Sequence, residues 1–238
     1  MKVTAEQIYQ ALKDDFGFKG ATGSLTFNLK DFGIVVKQNN VIGNILEEWL
    51  SGWLDEKGFD NEHNKKQSAP DFWLNKEDKT KDLLEVKCFT GNPNFDIANF
   101  ISYINELKTC AYRLHSKYLL IEYTMDDDGI VIINDFWLKN VWEICCSSSK
   151  RPLKVQEKKG IIYNIRPATW YSKKTDFIPF NCMEDFIAAL EQTLYDYHET
   201  RSTLAENWCD AVKKNYAKYY GVDLNIPRWY DIKSKYIS

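Results

Sequence analysis

Residues 70–89, PDFWLNKEDKTKDLLEVKCF, are the stretch of sequence that decides the fold. Two short apolar segments, residues 70–74 and 83–89, flank a charged turn, an arrangement typical of paired β-strands. In the second segment Glu85 and Lys87 are two positions apart, and side chains two apart in a strand share a face. The stretch therefore predicts a β-hairpin that carries an acid and an amine side by side on an apolar strand.

These charges predict a site as well as a fold, because charges on an apolar strand are costly to bury without partners. Asp71 begins the first strand, so its carboxylate can meet that of Glu85, and two such carboxylates repel each other unless a cation joins them. Mg²⁺ prefers a few carboxylate oxygens together with water and phosphate oxygens. Asp71 and Glu85 are the predicted ligands of Mg²⁺. Lys87 is predicted to orient or deprotonate an attacking water, or to stabilise charge on a phosphate. A structural ion pair between Glu85 and Lys87 is the alternative.

The segments around this hairpin predict alternating helices and strands. The spacing of apolar residues predicts helices over residues 40–57, 95–115, 136–146 and 183–219, and strands over residues 117–123, 130–133 and 160–165. Near the N-terminus, Thr4 and Gln7 predict a helix cap, and residues 25–36 predict a second hairpin. This alternation predicts an α/β fold with a central mixed β-sheet flanked by helices.

Length and composition predict one domain over residues 1–238. The chain is 44% hydrophobic and 15% aromatic, which is enough apolar surface to exclude a disordered protein. Within the domain we expect a catalytic core over about residues 40–135, a basic region over residues 147–174 and a helical C-terminal part over residues 183–238. No apolar stretch approaches the roughly 20 residues of a membrane span, and the first residues lack a signal peptide's apolar region. We therefore expect a cytoplasmic protein.

The charges are unevenly distributed although the formal net charge is only −3. Residues 147–174 contain eight Lys or Arg and one Glu, whereas residues 175–210 contain eight acids and one Arg. A basic region on a nearly neutral chain predicts a surface for a polyanion, with an ordinary solvated face as the alternative. The six cysteines and three histidines lack the spacing of a zinc site, so we expect buried free thiols.

The motif Pro70-Asp71 followed by Glu85-Val86-Lys87 resembles that of the PD-(D/E)xK nuclease superfamily, whose fold many type II restriction endonucleases share. Its members often carry an acid on the helix before the motif, and the pattern Gly43-x-x-x-Glu47 fits that feature. The resemblance implies that Glu47 assists catalysis and metal binding, with Glu48 as the alternative, because both lie off the apolar face of the helix.

The order of elements is similar to that of the EcoRV/HincII-like branch of this superfamily. Residues 4–24, TAEQIYQALKDDFGFKGATGS, are similar to those of the NlaIV/NgoBV group of type II enzymes. The second resemblance implies recognition of GGNNCC and a blunt cut between the central bases. It also implies a cognate DNA methyltransferase in the cell, without a stable complex.

The basic region and the loop after the motif supply the predicted DNA contacts. Arg and Lys can form paired hydrogen bonds with guanine in the major groove, and the EcoRV-like order implies that a loop near residues 166–174 enters that groove. The predicted DNA-reading residues of this loop are Arg166, Thr169, Trp170, Tyr171, Ser172, Lys173 and Lys174. Lys150 and Arg151 are predicted to contact phosphates, and Asn92 and Asn94 the backbone or minor groove. Solvated loops are the alternative.

The predicted function is that of a type II restriction endonuclease, which makes Mg²⁺-dependent, sequence-specific double-strand cuts by phosphodiester hydrolysis. Double-stranded DNA is the predicted substrate, and a palindromic target calls for a homodimer with one active site for each strand. Two alternatives stay open. One is a repair or junction-cleaving nuclease of the same fold, and the other is a non-catalytic DNA-binding module that keeps the charged strand for structure.

Overall fold

A computed structural model of the chain describes residues 1–66, 68–172, 174–197 and 204–236. The chain divides into two compact units, Met1–Asn92 with Ser116–Lys139, and Pro93–His115 with Asn140–Ser238. Over the described ranges, no helix has the length and apolar character needed to cross a membrane. The assignment of residues 1–238 to a single endonuclease domain stays a prediction.

The first unit begins with a capped helix and a small hairpin. Helix α1 spans Ala5–Ala11, where Thr4 and Gln7 form the predicted capping box, and it continues as a π-helical turn over Leu12–Phe16. Strands β1 (Thr22–Ser24), β2 (Thr26–Leu29) and β3 (Phe32–Val35) follow, and β2 pairs with β3 as the predicted second hairpin. Helix α2 spans Asn39–Glu56 and buries an apolar face of Ile42, Leu50, Trp53 and Leu54.

A six-stranded mixed sheet forms the body of the first unit. Besides β1 it contains β4 (Glu62–His63), β5 (Phe72–Trp73), β6 (Leu83–Phe89), β8 (Lys117–Met125) and β9 (Ile130–Asn140), in the order β1-β9-β8-β6-β5-β4. Strands β6 and β8 run parallel, whereas β5 is antiparallel to β6 and β1 is antiparallel to β9. The predicted mixed sheet and the pairing of the two motif strands are therefore confirmed.

Helix α2 lies close against the middle of this sheet. A Cβ atom at Gly43 would lie 3.7 Å from the Cβ atom of Cys88, so the helix backbone packs directly over β6. The buried core around this contact combines apolar residues of α1 and α2 with Leu84 and Val86 of β6 and Leu119 of β8. Alternate residues of β6 thus face this core, which leaves Glu85 and Lys87 on the other side of the strand.

The second unit combines a small sheet with the C-terminal helices. Strands β7 (Ala98–Asn99), β10 (Val155–Lys158) and β11 (Ile161–Ile165) form an antiparallel sheet in the order β10-β11-β7. The helices are α3 (Phe100–Leu107), α4 (Met183–Asp196), α5 (Trp208–Tyr220) and α6 (Trp229–Ile232). Trp208 is buried and donates a hydrogen bond from Nε1 to the carbonyl oxygen of Ile104 at 2.8 Å, which joins α5 to α3.

The predicted helix over residues 136–146 is wrong. Strand β9 continues through Asn140, and only Val141–Ile144 forms a short 3-10 turn. Strand pairing within the sheet outweighed the apolar spacing that had suggested a helix, because Val131, Ile133 and Phe136 are buried as strand residues.

Two other predicted helices differ in extent. The helix expected over residues 95–115 begins only at Phe100, because Ala98–Asn99 pairs with β11, and it ends at Leu107. The helix expected over residues 183–219 divides into α4 and α5, and residues 198–203 between them lie outside the described residues.

The six cysteines are free thiols, of which Cys145, Cys146 and Cys209 are buried and Cys88, Cys110 and Cys182 half-buried. Burial raises the pKa of Cys88 to about 12 and that of Cys146 to about 11. Neither thiol ionises at neutral pH, and an unionised thiol is a poor nucleophile and a poor metal ligand. These cysteines therefore serve as small apolar side chains of the core.

Replacing Gly129 with Ala is expected to lower the free energy of unfolding by about 2–3 kcal/mol in urea titrations. Gly129 has a φ of +79°, and a Cβ atom there would lie 2.6 Å from Cγ1 of Val35, where the second hairpin meets the turn between β8 and β9. Gly58→Ala is the matched control, because Gly58 has a φ of +68° and no atom within 4 Å of the added Cβ. Equal losses in the two variants would contradict this close approach.

Candidate active site

The motif hairpin places Asp71 beside the charged end of β6. Phe72 pairs with Leu84 and Trp73 with Leu83, so continuation of the antiparallel register sets Asp71 opposite Glu85. The backbone N–H of Val86 donates a hydrogen bond to Oδ2 of Asp71 at 2.7 Å. This bond fixes the Asp71 carboxylate over the strand that carries the other two motif residues.

Glu85 and Lys87 form a close ion pair on the shared face of β6. Nζ of Lys87 donates a hydrogen bond to Oε1 of Glu85 at 2.8 Å. Glu85 is only 4% exposed, whereas the Lys87 side chain keeps 23% of its surface exposed. The structure therefore brings together the three motif residues that the sequence predicts, and the amine is the most accessible part of the ion pair.

The pKa values of Asp71 and Lys87 are both raised within this group. Burial, and after it the negative charge of Glu85, raise the pKa of the Asp71 carboxyl to about 7, against the opposing charge of Lys87. For Lys87, burial alone would lower the pKa, but the charges of Glu85 and Asp71 outweigh it and raise the pKa of the amine. The ammonium group of Lys87 is thus the charge that opposes the repulsion between two carboxyl groups, of which Glu85 is buried and Asp71 half-buried.

Helix α2 contributes Glu47 to this group. The Glu47 charge raises the pKa of both Asp71 and Lys87, which places the carboxylate within electrostatic reach of the motif. The Glu47 side chain is 26% exposed, compared with 65% for Glu48. Glu47 is thus the acid that acts electrostatically on the motif residues, and its position follows from Gly43, one helical turn earlier on the same face. The role of Glu47 in catalysis and metal binding stays a prediction.

His63 is a site residue that the sequence did not predict. Its Nε2 atom lies 2.7 Å from Oε1 of Glu47, its ring stacks on Phe72 at 4.8 Å between centroids, and its side chain is only 8% exposed. The neighbouring Asn64 donates its backbone N–H to the carbonyl oxygen of Asp71 at 2.7 Å. No local pattern marks His63, which lies in a polar connection, so only the pairing of β4 with β5 reveals it.

The donor set of this site fits Mg²⁺ rather than a fully protein-bound ion. Across the ranges that the structure describes, no three side chains of His, Cys, Asp or Glu form a ready-made metal site. Mg²⁺ does not need such a cage, because it binds through one or two carboxylates and fills its remaining positions with water and phosphate oxygens. Asp71 and Glu85 match that requirement, because they are two neighbouring carboxyl groups that share the single ammonium group of Lys87.

The predicted DNA-reading residues of the loop lie in the second unit. Arg166 donates hydrogen bonds to Oδ1 of Asp96 and to the carbonyl oxygen of Asn94, so it is engaged within its own unit. Trp170 and Thr169 are half-buried, and Lys173 lies outside the described residues. Tyr171 and Lys174 are exposed and Ser172 is half-buried. Their contacts with DNA stay predictions.

Of the two residues predicted to contact phosphates, one forms an ion pair within the protein and the other is exposed. Arg151 donates a hydrogen bond from Nε to Oε2 of Glu157 at 2.6 Å, whereas Lys150 is exposed. Both line an open depression with Lys159, which gives this surface three cations and one acid. Asn92 in the first unit and Asn94 in the second are exposed.

Comparison with known proteins gives several matches. The family model described as NgoBV restriction endonuclease matches residues 2–236. The type II restriction enzyme NlaIV of Neisseria lactamica is 44% identical over 241 aligned residues, which cover 99% of this chain and 98% of that enzyme. The type II restriction enzyme NgoBV of Neisseria gonorrhoeae is 44% identical over 169 residues, which cover 67% of this chain and 93% of that enzyme.

The structural comparison agrees with the sequence matches. A solved structure described as NlaIV restriction endonuclease superimposes with a TM-score of 0.95 at 42% identity, covering 100% of this chain and 98% of that one. The predicted α/β fold with a central mixed sheet flanked by helices, of the restriction-endonuclease type, is thereby confirmed.

Replacing Asp71 with Asn is expected to stabilise the protein at pH 8 by about 1–3 kcal/mol when EDTA removes metal ions. The folded protein holds the Asp71 proton up to a pKa of about 7, compared with an ordinary value of 3.8. Its free energy of unfolding therefore falls as the pH rises from about 4 to about 7, and the neutral amide removes that loss. Urea unfolding at pH 4.5 and pH 8 measures the difference.

Asp78→Asn is the control for this experiment. The pKa of Asp78 is lowered to about 2 by hydrogen bonds from Thr80 and Lys81, so its replacement is expected to give no stabilisation at pH 8. An Asp71→Asn variant whose gain does not grow with pH would contradict the raised pKa of Asp71.

Proposed function

Because this chain belongs to the NgoBV restriction endonuclease family and is a type II restriction endonuclease, we propose that it makes Mg²⁺-dependent, sequence-specific double-strand cuts in DNA. The observation that carries the proposal is the group of Asp71, Glu85 and Lys87 at the end of the β5–β6 hairpin. Two acids short of positive charge beside an accessible amine suit the hydrolysis of a phosphodiester, whose transition state gains negative charge.

Each side chain has a distinct part in the proposed reaction. Asp71 and Glu85 hold Mg²⁺, which when bound supplies positive charge that stabilises the negative charge of the reacting phosphate. Lys87 has a raised pKa and therefore stays an ammonium group, which makes it a hydrogen-bond donor to the phosphate or the attacking water rather than a proton acceptor. Glu47 lies close enough to add a third negative charge on the helix side.

The target and the partners are proposed from the same resemblance. Identity of 44% with the type II restriction enzyme NlaIV over 99% of this chain supports the proposal that it recognises GGNNCC and cuts between the central bases to leave blunt ends. A palindrome of this kind suits a homodimer, because a two-fold axis sets one active site against each strand. We also propose a cytoplasmic enzyme accompanied by a cognate DNA methyltransferase that protects the host's own sites.

The two alternative functions are less well supported than site-specific cleavage of DNA. The relatives that match nearly all of this chain are named type II restriction enzymes, not repair or junction-cleaving nucleases. A non-catalytic DNA-binding module could form an ion pair between Glu85 and Lys87, but it would have no need to hold the Asp71 carboxyl beside Glu85 at the cost that the raised pKa of Asp71 indicates.

Incubation with an unmethylated plasmid that carries one GGNNCC site is expected to give one linear product in Mg²⁺ and none in EDTA. A second plasmid that lacks the sequence serves as the control. Cleavage of both plasmids would overturn the proposed target, and cleavage that continues in EDTA would overturn the requirement for a metal ion.

Asp71→Ala and Lys87→Ala are each expected to lower the rate of cleavage by at least about 10²-fold, because each removes charge that the transition state needs. Asp78→Ala is the matched control, since Asp78 lies in the turn of the same hairpin but pairs only with Thr80 and Lys81. Single-turnover cleavage of the one-site plasmid measures the rates. Full activity of either motif variant would remove the assigned roles.

A further inference from the structure

The β2–β3 hairpin presents an apolar face to solvent. Phe27 pairs with Ile34 and Leu29 with Phe32, and cross-strand partners share a face. Their exposed fractions are 57%, 48%, 67% and 73%, respectively. We call these four side chains the hairpin face. On the opposite side of the hairpin, the Asn28 side chain lies over Gly33, so the two sides differ sharply in polarity.

The hairpin face is comparable in size with the largest apolar patches of monomeric proteins, which are often functional. Its four side chains expose roughly 400 Å² of apolar surface, the size of patch that on monomeric proteins marks an interaction site. A standard protein interface buries about 800 Å² on each partner, so this face provides about half of one. A two-stranded hairpin without a covering layer is also only marginally stable in water.

The chemistry of the hairpin favours a protein partner over a nucleic acid. The face itself carries no charge, and its turn consists of Lys30 and Asp31, whose charges cancel. Val36 donates a hydrogen bond to the carbonyl oxygen of Leu25 at 2.8 Å, which continues the pairing of β2 with β3, and the base of the hairpin lies close to the turn at Gly129. A self-complementary apolar patch is what a two-fold interface requires, since the same patch serves both partners.

We propose that the hairpin face is the surface on which a second copy of this chain docks. The inference rests on the proposed homodimer and names its surface. In the dimer the aromatic and aliphatic side chains of the two hairpins cover each other, which removes both exposed faces from water.

The mass of the protein in solution tests this surface. By sedimentation velocity at micromolar concentration, the wild-type protein is expected at twice the 27.9 kDa of one chain, and the double variant Leu29→Ser with Phe32→Ser at the mass of one chain. Val222→Ser, at another exposed apolar residue, is the control and is expected to remain dimeric. Circular dichroism checks that each variant is folded.

The outcomes separate this inference from the proposed function. A monomeric wild-type protein, or a double variant that remains dimeric, overturns the docking surface even if the plasmid is cut at GGNNCC. A double variant of unchanged mass that no longer binds DNA would also overturn it, because the face would then serve the nucleic acid. Absence of all cleavage overturns the proposed function, whereas the measured masses still decide the surface.

An independent observation concerns His63, which links Glu47 to the motif hairpin. A carboxylate only accepts hydrogen bonds, so the 2.7 Å contact is donated by Nε2–H of His63 to Oε1 of Glu47. The imidazole cannot turn freely, because it stacks on Phe72 within 16° of parallel and its side chain is 8% exposed. Asn64 holds the same segment by hydrogen bonds to Pro70 and Asp71.

The structure assigns His63 as a positioning residue that fixes the Glu47 carboxylate relative to Asp71 and Glu85. The imidazole holds Oε1 of Glu47, and the proposed role requires that the other carboxylate oxygen serve the metal ion. Hydrogen bonds of this kind orient the carboxylates around a metal ion, and their loss typically costs 10–100-fold in metal affinity. This role rests on the proposed Mg²⁺-dependent function.

Two substitutions separate the hydrogen bond from the packing. His63→Phe keeps an aromatic ring against Phe72 but has no donor, whereas His63→Gln keeps an amide donor of similar reach. Binding of Mn²⁺ to the protein without DNA, followed by electron paramagnetic resonance, is expected to weaken about 10-fold or more in His63→Phe. In His63→Gln it is expected to stay within a few-fold of wild type. The Mg²⁺ concentration for half-maximal cleavage is expected to shift in the same way.

Equal Mn²⁺ affinity in His63→Phe and wild type, or equal losses in His63→Phe and His63→Gln, would overturn the positioning role. If the wild-type protein cuts the plasmid in Mg²⁺ and both variants match it, only the role of His63 fails. If the wild-type protein neither binds Mn²⁺ nor cuts DNA, the proposed function fails and the positioning role fails with it.

Discussion

The burial of two carboxylates and one amine on a single hairpin is the constraint on which the rest of the first unit depends. Asp71 lies next to β5 and Glu85 on β6, both of them apolar strands, and Lys87 supplies the positive charge that offsets their two negative charges. The pKa of Asp71, raised to about 7, indicates how unfavourable that arrangement is. Such a group persists only where neighbouring backbone holds it in place. The hydrogen bond from Val86 and the pairing of β5 with β6 provide that support.

The elements around the hairpin are arranged to support this group from two sides. Helix α2 packs against β6 at Gly43, which carries Glu47 to the motif one turn later. Strand β4 extends the sheet by one strand beyond β5, and through His63 and Asn64 it connects the helix to the backbone of Asp71. An uncharged hairpin would avoid the cost that the raised pKa of Asp71 indicates, but it would lack the acids of the proposed metal site.

Membership of the NgoBV restriction endonuclease family agrees with this organisation. The charged hairpin belongs to the first unit, whereas most of the basic and aromatic residues predicted to meet DNA belong to the second. Arg166 and Arg151 each form an ion pair with an acid of their own unit, which they would have to give up to contact DNA. Lys150 and Lys174 are exposed. The acids of the motif thus lie in the first unit and the exposed Lys150 and Lys174 in the second, where their contacts with DNA stay predictions.

The sequence by itself determined the motif hairpin, the helix before it, the mixed sheet and the resemblance to the NlaIV/NgoBV group, because these depend on local periodicity and on residues close together in the chain. It failed at residues 136–146, where β9 continues beside β8 in the sheet through Asn140, and it could not choose between Glu47 and Glu48 from helical spacing alone. Only the tertiary structure showed that Glu47 meets His63 near the motif, since this contact depends on how α2 and β4 pack against the motif. It alone also revealed that the apolar side of the β2–β3 hairpin faces solvent, because alternation predicts an apolar face but not what covers it.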